Sequence, residues 1–473
     1  MTPDRLRIAI RFGLYALVLL APLPFGSVQP GYVLAIELIA SAIGVLSMAL
    51  LALDEDARAA LPKASLLLCG AIVLLGVFQI LPLPFSIAER FNPTADLVRP
   101  LLPYLGTERP PTVTWSVAPA ETTDALLRFV AYVWIGLGAV LALDTTEARR
   151  GFAIALVASA AFQAVYGSGE YLTGRQHIFS FAKKHYLDSA TGTFINRNHY
   201  ATFLAMALPF ALGLALPAST EGKPASTWRG RLLSVGDREA ITRILAGACA
   251  AAIWLGLLLS SSRAGLGAAF LAALLVLVPR RRARAARWAG AIAAVVLLGL
   301  LTRELARLPG ERLLSARIDL HAPGGRLSVW RDAGRLVATR PGLGWGLGTF
   351  EGTYPTVRSL DVSLEYDHAH NDWLEWSVEG GLATTVLAVA LGLLLIRRTH
   401  DVARAALAAV LFHAIWDFSL RIPSIPVTAA AVAGAGLTGY RDWVAARASV
   451  KAFPPASMKV WSQISRLSRF QIR

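Results

Sequence analysis

Two histidines and two glutamates lie close together where a polar segment meets a long apolar one. His368 and His370 precede the apolar run, and Glu375 and Glu379 follow them four residues apart. In a helix that spacing places both carboxylates on one face, where each either orients an imidazole or simply faces water. Positioned imidazoles are the commonest proton acceptors in catalysis. The segment therefore predicts a proton-transfer site at the end of an apolar helix.

The rest of the chain predicts a membrane protein. Hydrophobic residues make up 55% of the sequence and charged residues 16%, and apolar runs of roughly 17–22 residues recur along its length. We predict an all-α polytopic membrane protein with about twelve transmembrane helices. The predicted spans lie near 7–25, 31–52, 64–82, 124–143, 151–172, 198–216, 243–260, 265–279, 288–302, 381–396, 405–418 and 424–440.

The distribution of basic residues predicts the orientation of these spans. The tails and alternate loops hold more than half of the 46 Lys and Arg residues, with a cluster of arginines at 280–287. The positive-inside rule makes this side cytoplasmic, so both termini are expected there. The net charge of +15 is therefore interpreted as membrane-flanking charge that meets lipid headgroups, and not as a nucleic-acid surface. Cys69 and Cys249 fall inside predicted spans, which gives no support for a disulfide.

Hydropathy divides the chain into five regions. These are N-terminal membrane helices with a first outer loop (1–123), central membrane helices (124–302), a large outer loop (303–380), C-terminal membrane helices (381–440) and a basic cytoplasmic tail (441–473). The large outer loop is unusually basic for a translocated segment, and Arg326 and Arg331 are among its arginines. We expect an anionic ligand there.

The middle of the large outer loop predicts one helix and one glycine-rich turn. Apolar residues recur at helical spacing from Arg326 to Val337, and Pro341 is expected to end the helix. Glycines at 342, 344, 346 and 348 then form a loop that is free to adopt positive φ. Such a loop lets a ligand approach the backbone closely.

Four segments resemble the O-antigen ligase and polymerase superfamily of bacterial envelope glycosyltransferases. The most specific is His370-Asn371 followed at the family's spacing by Gly381 and Thr384. The others are Thr191-Gly-Thr-Phe-Ile-Asn-Arg197-Asn198-His-Tyr200-Ala201, Ser260-Ser-Ser-Arg263-Ala-Gly265 and Arg340-Pro-Gly-Leu-Gly-Trp-Gly-Leu-Gly-Thr-Phe350. Their order agrees with the family over roughly residues 124–440.

The resemblance implies a fold and an activity. The fold is a GT-C-like membrane architecture with a large periplasmic loop, in the bacterial inner membrane. The activity is transfer of a glycan from an undecaprenyl diphosphate-linked oligosaccharide donor to an acceptor at the periplasmic face. No metal ion or other cofactor is implied. The acceptor is lipid A core, another glycan or a protein hydroxyl, and the sequence leaves these three open.

The residue types suit this chemistry, because a glycosyl transfer needs a base for the acceptor hydroxyl and cations for the departing diphosphate. We predict His370 as the base. His368 is predicted to contact the substrate, and it either shares the role of His370 or is an ordinary polar loop residue. Arg263 and Arg197 are predicted to bind the diphosphate, since a guanidinium can bind two phosphate oxygens. Asn371, Asn198 and Tyr200 are predicted to contact the sugar-bearing substrate.

One departure from the family leaves the second arginine open. Relatives often have an arginine just before the Thr-Gly-x-Phe segment, where this chain has Ser189-Ala190. Either Arg197 replaces it, or Arg326 or Arg331 completes the pair.

Each candidate also has a plain structural reading, and two other functions fit the hydropathy. Arg263 could snorkel to the interface, and His370 could pack against interfacial tryptophans. A secondary transporter of an anion or lipid-linked sugar would also have about twelve spans, but no internal repeat is visible. A non-catalytic scaffold is disfavoured by the reactive cluster. His413 and Asp417 are interpreted as support for the site, and Arg128 as an interhelical contact.

Overall fold

The computed structural model is dominated by helices and confirms an all-α polytopic membrane protein. It describes residues 1–92, 94–95, 111–216, 238–277, 325–359 and 366–451. The span expected at 288–302, the arginines of 280–287, the first part of the large outer loop and the end of the basic tail lie outside these residues. The division into five regions stays a prediction.

Fifteen helices occur in the described residues, numbered here in chain order. They are α1 (Pro3–Leu20), α2 (Pro30–Leu53), α3 (Glu55–Ala59), α4 (Lys63–Ile80), α5 (Phe85–Phe91), α6 (Pro119–Ala142), α7 (Thr146–Leu172), α8 (Arg197–Ala215), α9 (Arg238–Leu259), α10 (Arg263–Leu277), α11 (Arg326–Thr339), α12 (Phe350–Thr353), α13 (Asp372–Arg398), α14 (Asp401–His413) and α15 (Ser424–Lys451). Short 3₁₀ turns cover Phe25–Ser27, Tyr354–Thr356 and Ser419–Arg421.

The predicted spans coincide with helices wherever the structure describes them. Six helical segments are long and apolar enough to cross a membrane, namely Pro30–Leu53, Lys63–Ile80, Pro119–Ala142, Thr146–Leu172, Ala240–Leu259 and Asp372–Arg398, and three shorter apolar segments are Arg263–Leu277, Val402–His413 and Ser424–Thr438. The runs expected at 7–25 and 198–216 form α1 and α8, which belong to neither set.

The helix α8 lies at the centre of the bundle, packed against α7, α9, α10 and α14. Its residues from His199 to Ala211 are all buried, which explains why this span needs little lipid-facing hydrophobicity. Its N-terminus is fixed by Asn196, whose side chain accepts a hydrogen bond from the backbone N–H of Asn198. The start of the most buried helix is thereby placed at the predicted site.

Ion pairs join α1 to Asp54 at the end of α2 and to Asp144, which follows α6. Arg7 on α1 pairs with Asp54 at 2.5 Å and with Asp144 at 3.1 Å, and Arg11 pairs with Asp144 at 2.8 Å. Arg397 and Arg398 end α13, where positive charge also complements the helix dipole.

The described part of the outer region packs on α13 through a second, smaller apolar core. Val329 and Leu336 of α11 meet Trp345, Phe350 and Val378. The amphipathic helix predicted before Pro341 is confirmed as α11. Two-stranded antiparallel pairs join Leu83–Pro84 to Thr112–Val113 and His177–Ile178 to Phe181–Ala182.

Candidate functional site

The candidate general base is held by a buried carboxylate. His370 Nδ1 lies 3.0 Å from Oδ1 of Asp417, which is only 1% exposed, while the imidazole itself is 21% exposed. Because a carboxylate can only accept, Nδ1 carries the proton and Nε2 is the basic nitrogen of the neutral ring. His370 also has a positive φ of 51°, a backbone conformation that is costly for a non-glycine residue.

Asp417 lies on the turn between α14 and α15 and contacts a third histidine. Its Oδ2 is 3.6 Å from Nε2 of His199. Burial alone would raise the pKa of Asp417, but the hydrogen bond from His370 and the nearby charges outweigh burial and hold that pKa well below its usual range. Asp417 is therefore a permanent negative charge between two imidazoles.

The side chain of Phe418 packs against all three imidazoles. His368 stacks on its ring at 4.3 Å between centroids, and His370 and His199 meet it edge-on at 4.8 Å and 4.7 Å. His368 donates separately through Nδ1, which lies 2.8 Å from Oε1 of the Glu375 carboxylate. Each of the two predicted histidines thus has its own carboxylate partner.

A partly buried arginine joins the buried carboxylates at the start of α13. Arg421 approaches Asp372 at 3.9 Å, Glu375 at 3.2 Å and Glu379 at 2.7 Å. Burial would lower the pKa of Arg421, but the three carboxylates outweigh burial and raise it above its ordinary value. Glu375 is shared between Arg421 and His368, so this cluster fixes the second imidazole. Glu379 binds Arg421 and no predicted site histidine.

The two predicted diphosphate-binding motifs meet through one hydrogen bond. Ser262 donates its hydroxyl to Oδ1 of Asn198 at 2.8 Å, so the first turns of α8 and α10 lie side by side. Arg197 is held by Asp188 at 3.6 Å and by Ser189 at 3.3 Å. Arg263 is exposed, and no carboxylate in the described ranges lies within salt-bridge distance of it.

Further hydrogen bonds connect α8 to the turn that carries Asp417. Thr202 of α8 and Ser419 share a hydroxyl contact of 2.9 Å, and Ser419 lies 3.1 Å from Nδ1 of His413. The interpretation of His413 and Asp417 as support for the site agrees with these contacts. Together they bring the Asn198, Ser262 and His370 segments into one connected network.

The other predicted site residues occupy less direct positions. Asn371 caps α13 by accepting a hydrogen bond from Leu374 N–H at 3.1 Å, and Arg326 donates to the carbonyl of Trp416 at 2.7 Å. Tyr200 is fully buried and packs against the backbones of glycines 167, 192 and 256. Arg331 is exposed on α11. Roles for these residues in substrate binding stay predictions.

The glycine-rich loop takes the expected backbone conformation but meets a different partner. Gly344, Gly346 and Gly348 all have positive φ. A Cβ on Gly344 would lie 2.4 Å from the carbonyl oxygen of Glu379. The close approach at Gly344 is therefore to α13, and the approach of a ligand to this loop stays a prediction.

The loop fills a break in α13. Gly381 interrupts the helix with φ 66° and ψ −174°, and the N–H groups of Trp345 and Gly346 donate to the carbonyls of Val378 and Glu379 at 3.0 Å and 2.8 Å. In return, Leu382 donates to the carbonyl of Pro341 at 2.8 Å. Gln79 of α4 donates to the carbonyls of Leu343 and Glu379 at 2.7 Å and 3.0 Å. These contacts explain why the His-Asn motif requires glycine at 381.

Sequence reasoning missed His199, Phe418 and Gln79 as parts of this site. His199 had a signal, because it follows Arg197 and Asn198 within a motif that was singled out. The other two lie in segments without a motif. No cluster of three or more His, Cys, Asp or Glu side chains that could hold a metal ion occurs within the described ranges.

Residues 248–389 match the family model described as O-Antigen ligase. The match includes the Ser260 to Gly265 segment, the glycine-rich loop and the His-Asn motif, and it confirms the family resemblance read from them. The Thr191 to Ala201 segment lies outside the matched residues. A search of curated proteins found no match.

Proposed function

We propose that this member of the O-antigen ligase and polymerase superfamily transfers a glycan from an undecaprenyl diphosphate-linked oligosaccharide to an acceptor. The reaction takes place at the periplasmic face of the bacterial inner membrane, with both termini in the cytoplasm. It uses no metal ion and inverts the anomeric centre. The observation that carries the proposal is the His370–Asp417 pair, which gives an imidazole with a basic Nε2 at the start of α13.

In the proposed reaction, His370 Nε2 takes the proton from the acceptor hydroxyl. The hydroxyl oxygen forms a bond to the anomeric carbon as the bond from that carbon to the diphosphate oxygen breaks, and the electron pair leaves with the diphosphate. Attack opposite the leaving group produces the inversion. Asp417 stabilises the imidazolium that forms, because its carboxylate keeps its charge.

Positive charge for the diphosphate comes from two sources in this proposal. Arg197 and Arg263 are the first residues of α8 and α10, and the Ser262–Asn198 hydrogen bond keeps these helix ends adjacent. Helix N-termini carry partial positive charge and unpaired N–H groups, which favour anions. Arginine and helix end therefore act on the same leaving group.

A transporter is the second candidate, because one observation favours it. The break in α13 at Gly381 is the kind of interruption that forms substrate sites in transporters. Here the carbonyls of Val378 and Glu379, next to the break, accept hydrogen bonds from the N–H groups of Trp345 and Gly346. These hydrogen bonds within the chain support a structural role for the break.

The test is glycan transfer by the purified protein in nanodiscs, from a synthetic undecaprenyl diphosphate oligosaccharide and with EDTA present. Wild type is compared with His370→Ala and Arg263→Ala, and with His185→Ala as a matched change of an exposed outer histidine. We expect transfer that survives EDTA, is lost in the first two variants and persists in the third. Product length separates ligation from polymerisation. Saturable solute uptake into proteoliposomes, without transfer to any acceptor, would favour the transporter.

A further inference from the structure

A deep apolar crevice lies beside α13, and its lining includes neither His370 nor Asp417. It has a volume of about 320 Å³ and lies between α4, α6, α13, α14 and α15. Its walls are aliphatic and aromatic along most of their length, as in Leu66, Val133, Val140, Leu391, Leu411 and Leu437. A cavity of this character inside a membrane protein suits a hydrocarbon chain.

Charged groups line one end of the crevice. Arg421 and Glu379 are there, but they pair with each other at 2.7 Å. Arg128 also lines it, nine residues after the start of α6 and thus ~13 Å along that helix. No carboxylate in the described part of the chain lies within salt-bridge distance of Arg128. No ion pair within the described residues therefore supports the interpretation of Arg128 as an interhelical contact.

An arginine within an apolar helix needs an anion, because its charge is costly at membrane depth. From Arg128 to Val140 the crevice follows α6 for ~18 Å, which is close to the ~15 Å of hydrocarbon in one leaflet. We propose that the crevice binds one acyl chain of an anionic glycerophospholipid from the outer leaflet, with its phosphate on Arg128.

The charge and position of the crevice favour a bilayer lipid over the polyprenyl donor. One unpaired arginine matches a single phosphate, whereas a diphosphate carries more charge and matches the two arginines that begin α8 and α10. Trp373 and Trp376 of α13 face the crevice, while His370 contacts Asp417 and, through it, His199 of α8. The acyl chain would thus lie in a crevice whose walls include none of His370, Asp417 and His199.

A bound lipid would support the site through Arg421. That side chain lines the crevice and also binds Glu375, which holds His368. Loss of the bound acyl chain would expose the Arg421, Glu375 and His368 cluster to solvent and loosen the start of α13. The proposed lipid site does not depend on the proposed glycan transfer, so lipid binding and transfer are tested in separate experiments.

The experiment uses nanodiscs that contain phosphatidylglycerol with a photoactivatable acyl chain, and it maps labelled peptides by mass spectrometry. We expect labels on α6, α13 and α15. Arg128→Gln should reduce them about fivefold, the effect of one cation on an anionic headgroup. Arg90→Gln, an exposed outer arginine on α5, is the charge control and should leave labelling unchanged.

A steric plug provides a second and independent variant. A Cβ on Gly136 would meet the carbonyl oxygen and the Cβ of Ala430 at 3.5 Å and 4.0 Å, which are ordinary van der Waals contacts. Because Gly136 lines the crevice, Gly136→Leu projects the rest of its side chain into it. Gly70→Leu is the control, since a Cβ there meets nothing within 4 Å. We expect the plug to abolish labelling and the control to retain it. If Gly136→Leu does not fold, Ala388→Leu fills the same crevice from α13.

Two outcomes would overturn the proposal. The first is equal labelling by phosphatidylcholine and phosphatidylglycerol, which would show that Arg128 does not select an anion. The second is loss of labelling when undecaprenyl diphosphate is added at equimolar amounts, which would assign the crevice to the donor chain. Labelling that persists under this competition supports a separate phospholipid site.

Discussion

Nδ1 of His370 and Oδ1 of Asp417 lie 3.0 Å apart, although 47 residues separate them in the sequence. The first residue comes from the outer loop before α13 and the second from the turn after α14. This pair, more than either histidine by itself, gives the site a defined basic nitrogen.

Replacing Asp417 with asparagine should lower kcat by ~10²-fold or more, because the amide neither fixes the Nε2-basic tautomer nor stabilises the imidazolium. KM for the donor should change little. Steady-state transfer assays measure both constants. The matched control is Asp124→Asn, an exposed carboxyl on α6. A higher KM for the donor with an unchanged kcat would contradict an orienting role.

The depressed pKa of Asp417 predicts a specific pH dependence of stability. Its stabilising contribution is fully present above the unfolded pKa of about 3.9 and is lost as pH falls toward the lower folded pKa. The melting temperature of wild type should therefore exceed that of Asp417→Asn by a constant amount above about pH 5. The gap should narrow below about pH 4. Thermal scans from about pH 7 down to about pH 3 measure this gap, and a gap that widens on acidification would refute the assignment.

Replacing Arg421 with methionine should destabilise the protein strongly. It leaves Asp372, Glu375 and Glu379 without their shared cation in a buried setting, and removing one partner of a buried pair costs about 3–5 kcal/mol. Arg58→Met is the control, because its pair with Glu55 is exposed and contributes about 0–1 kcal/mol. Thermal unfolding in detergent compares the two, and equal melting temperatures would argue against the cluster.

Replacing Gly381 with alanine should disrupt the contact between α13 and the glycine-rich loop. The position has φ 66°, and a Cβ would lie 2.2 Å from the carbonyl oxygen of Gly342. The strain alone costs about 1–3 kcal/mol. Gly352→Ala is the control, with nothing within 4 Å of its Cβ. Limited proteolysis of the outer region should be faster in Gly381→Ala but not in Gly352→Ala. Equal cleavage rates in Gly381→Ala and wild type would count against a role of Gly381 in this contact.

Comparing two arginines should decide which one completes the diphosphate site. Arg197 is held near Asn198 and the Ser262–Arg263 turn, whereas Arg331 is exposed on α11. We expect Arg197→Ala to raise the KM for the donor about tenfold or more, the loss of a charge-assisted hydrogen bond. Arg331→Ala should have a smaller effect. Donor titrations in the transfer assay measure both, and the reverse order would reassign the contact to Arg331.

The sequence by itself determined the membrane class, the positions of the described apolar helices and of α11, and the family resemblance. These features depend on local hydropathy and on motifs whose residues are close in the chain. The sequence also selected His370, because its distance to Gly381 is fixed by one helix, α13, and by the break that Gly381 makes in it.

Only the tertiary structure decided which side chains meet. Asp417 contacts His370 across 47 residues and Thr202 contacts Ser419 across 217. Gln79 contacts Leu343 and Leu347 of the glycine-rich loop across 264 and 268 residues. Hydropathy gives each such residue a helix and a depth but no neighbour, because packing of helices distant in sequence sets the contacts. The glycine-rich loop illustrates this, since its positive φ values were predictable from glycine alone, while its partner, the broken helix α13, was not.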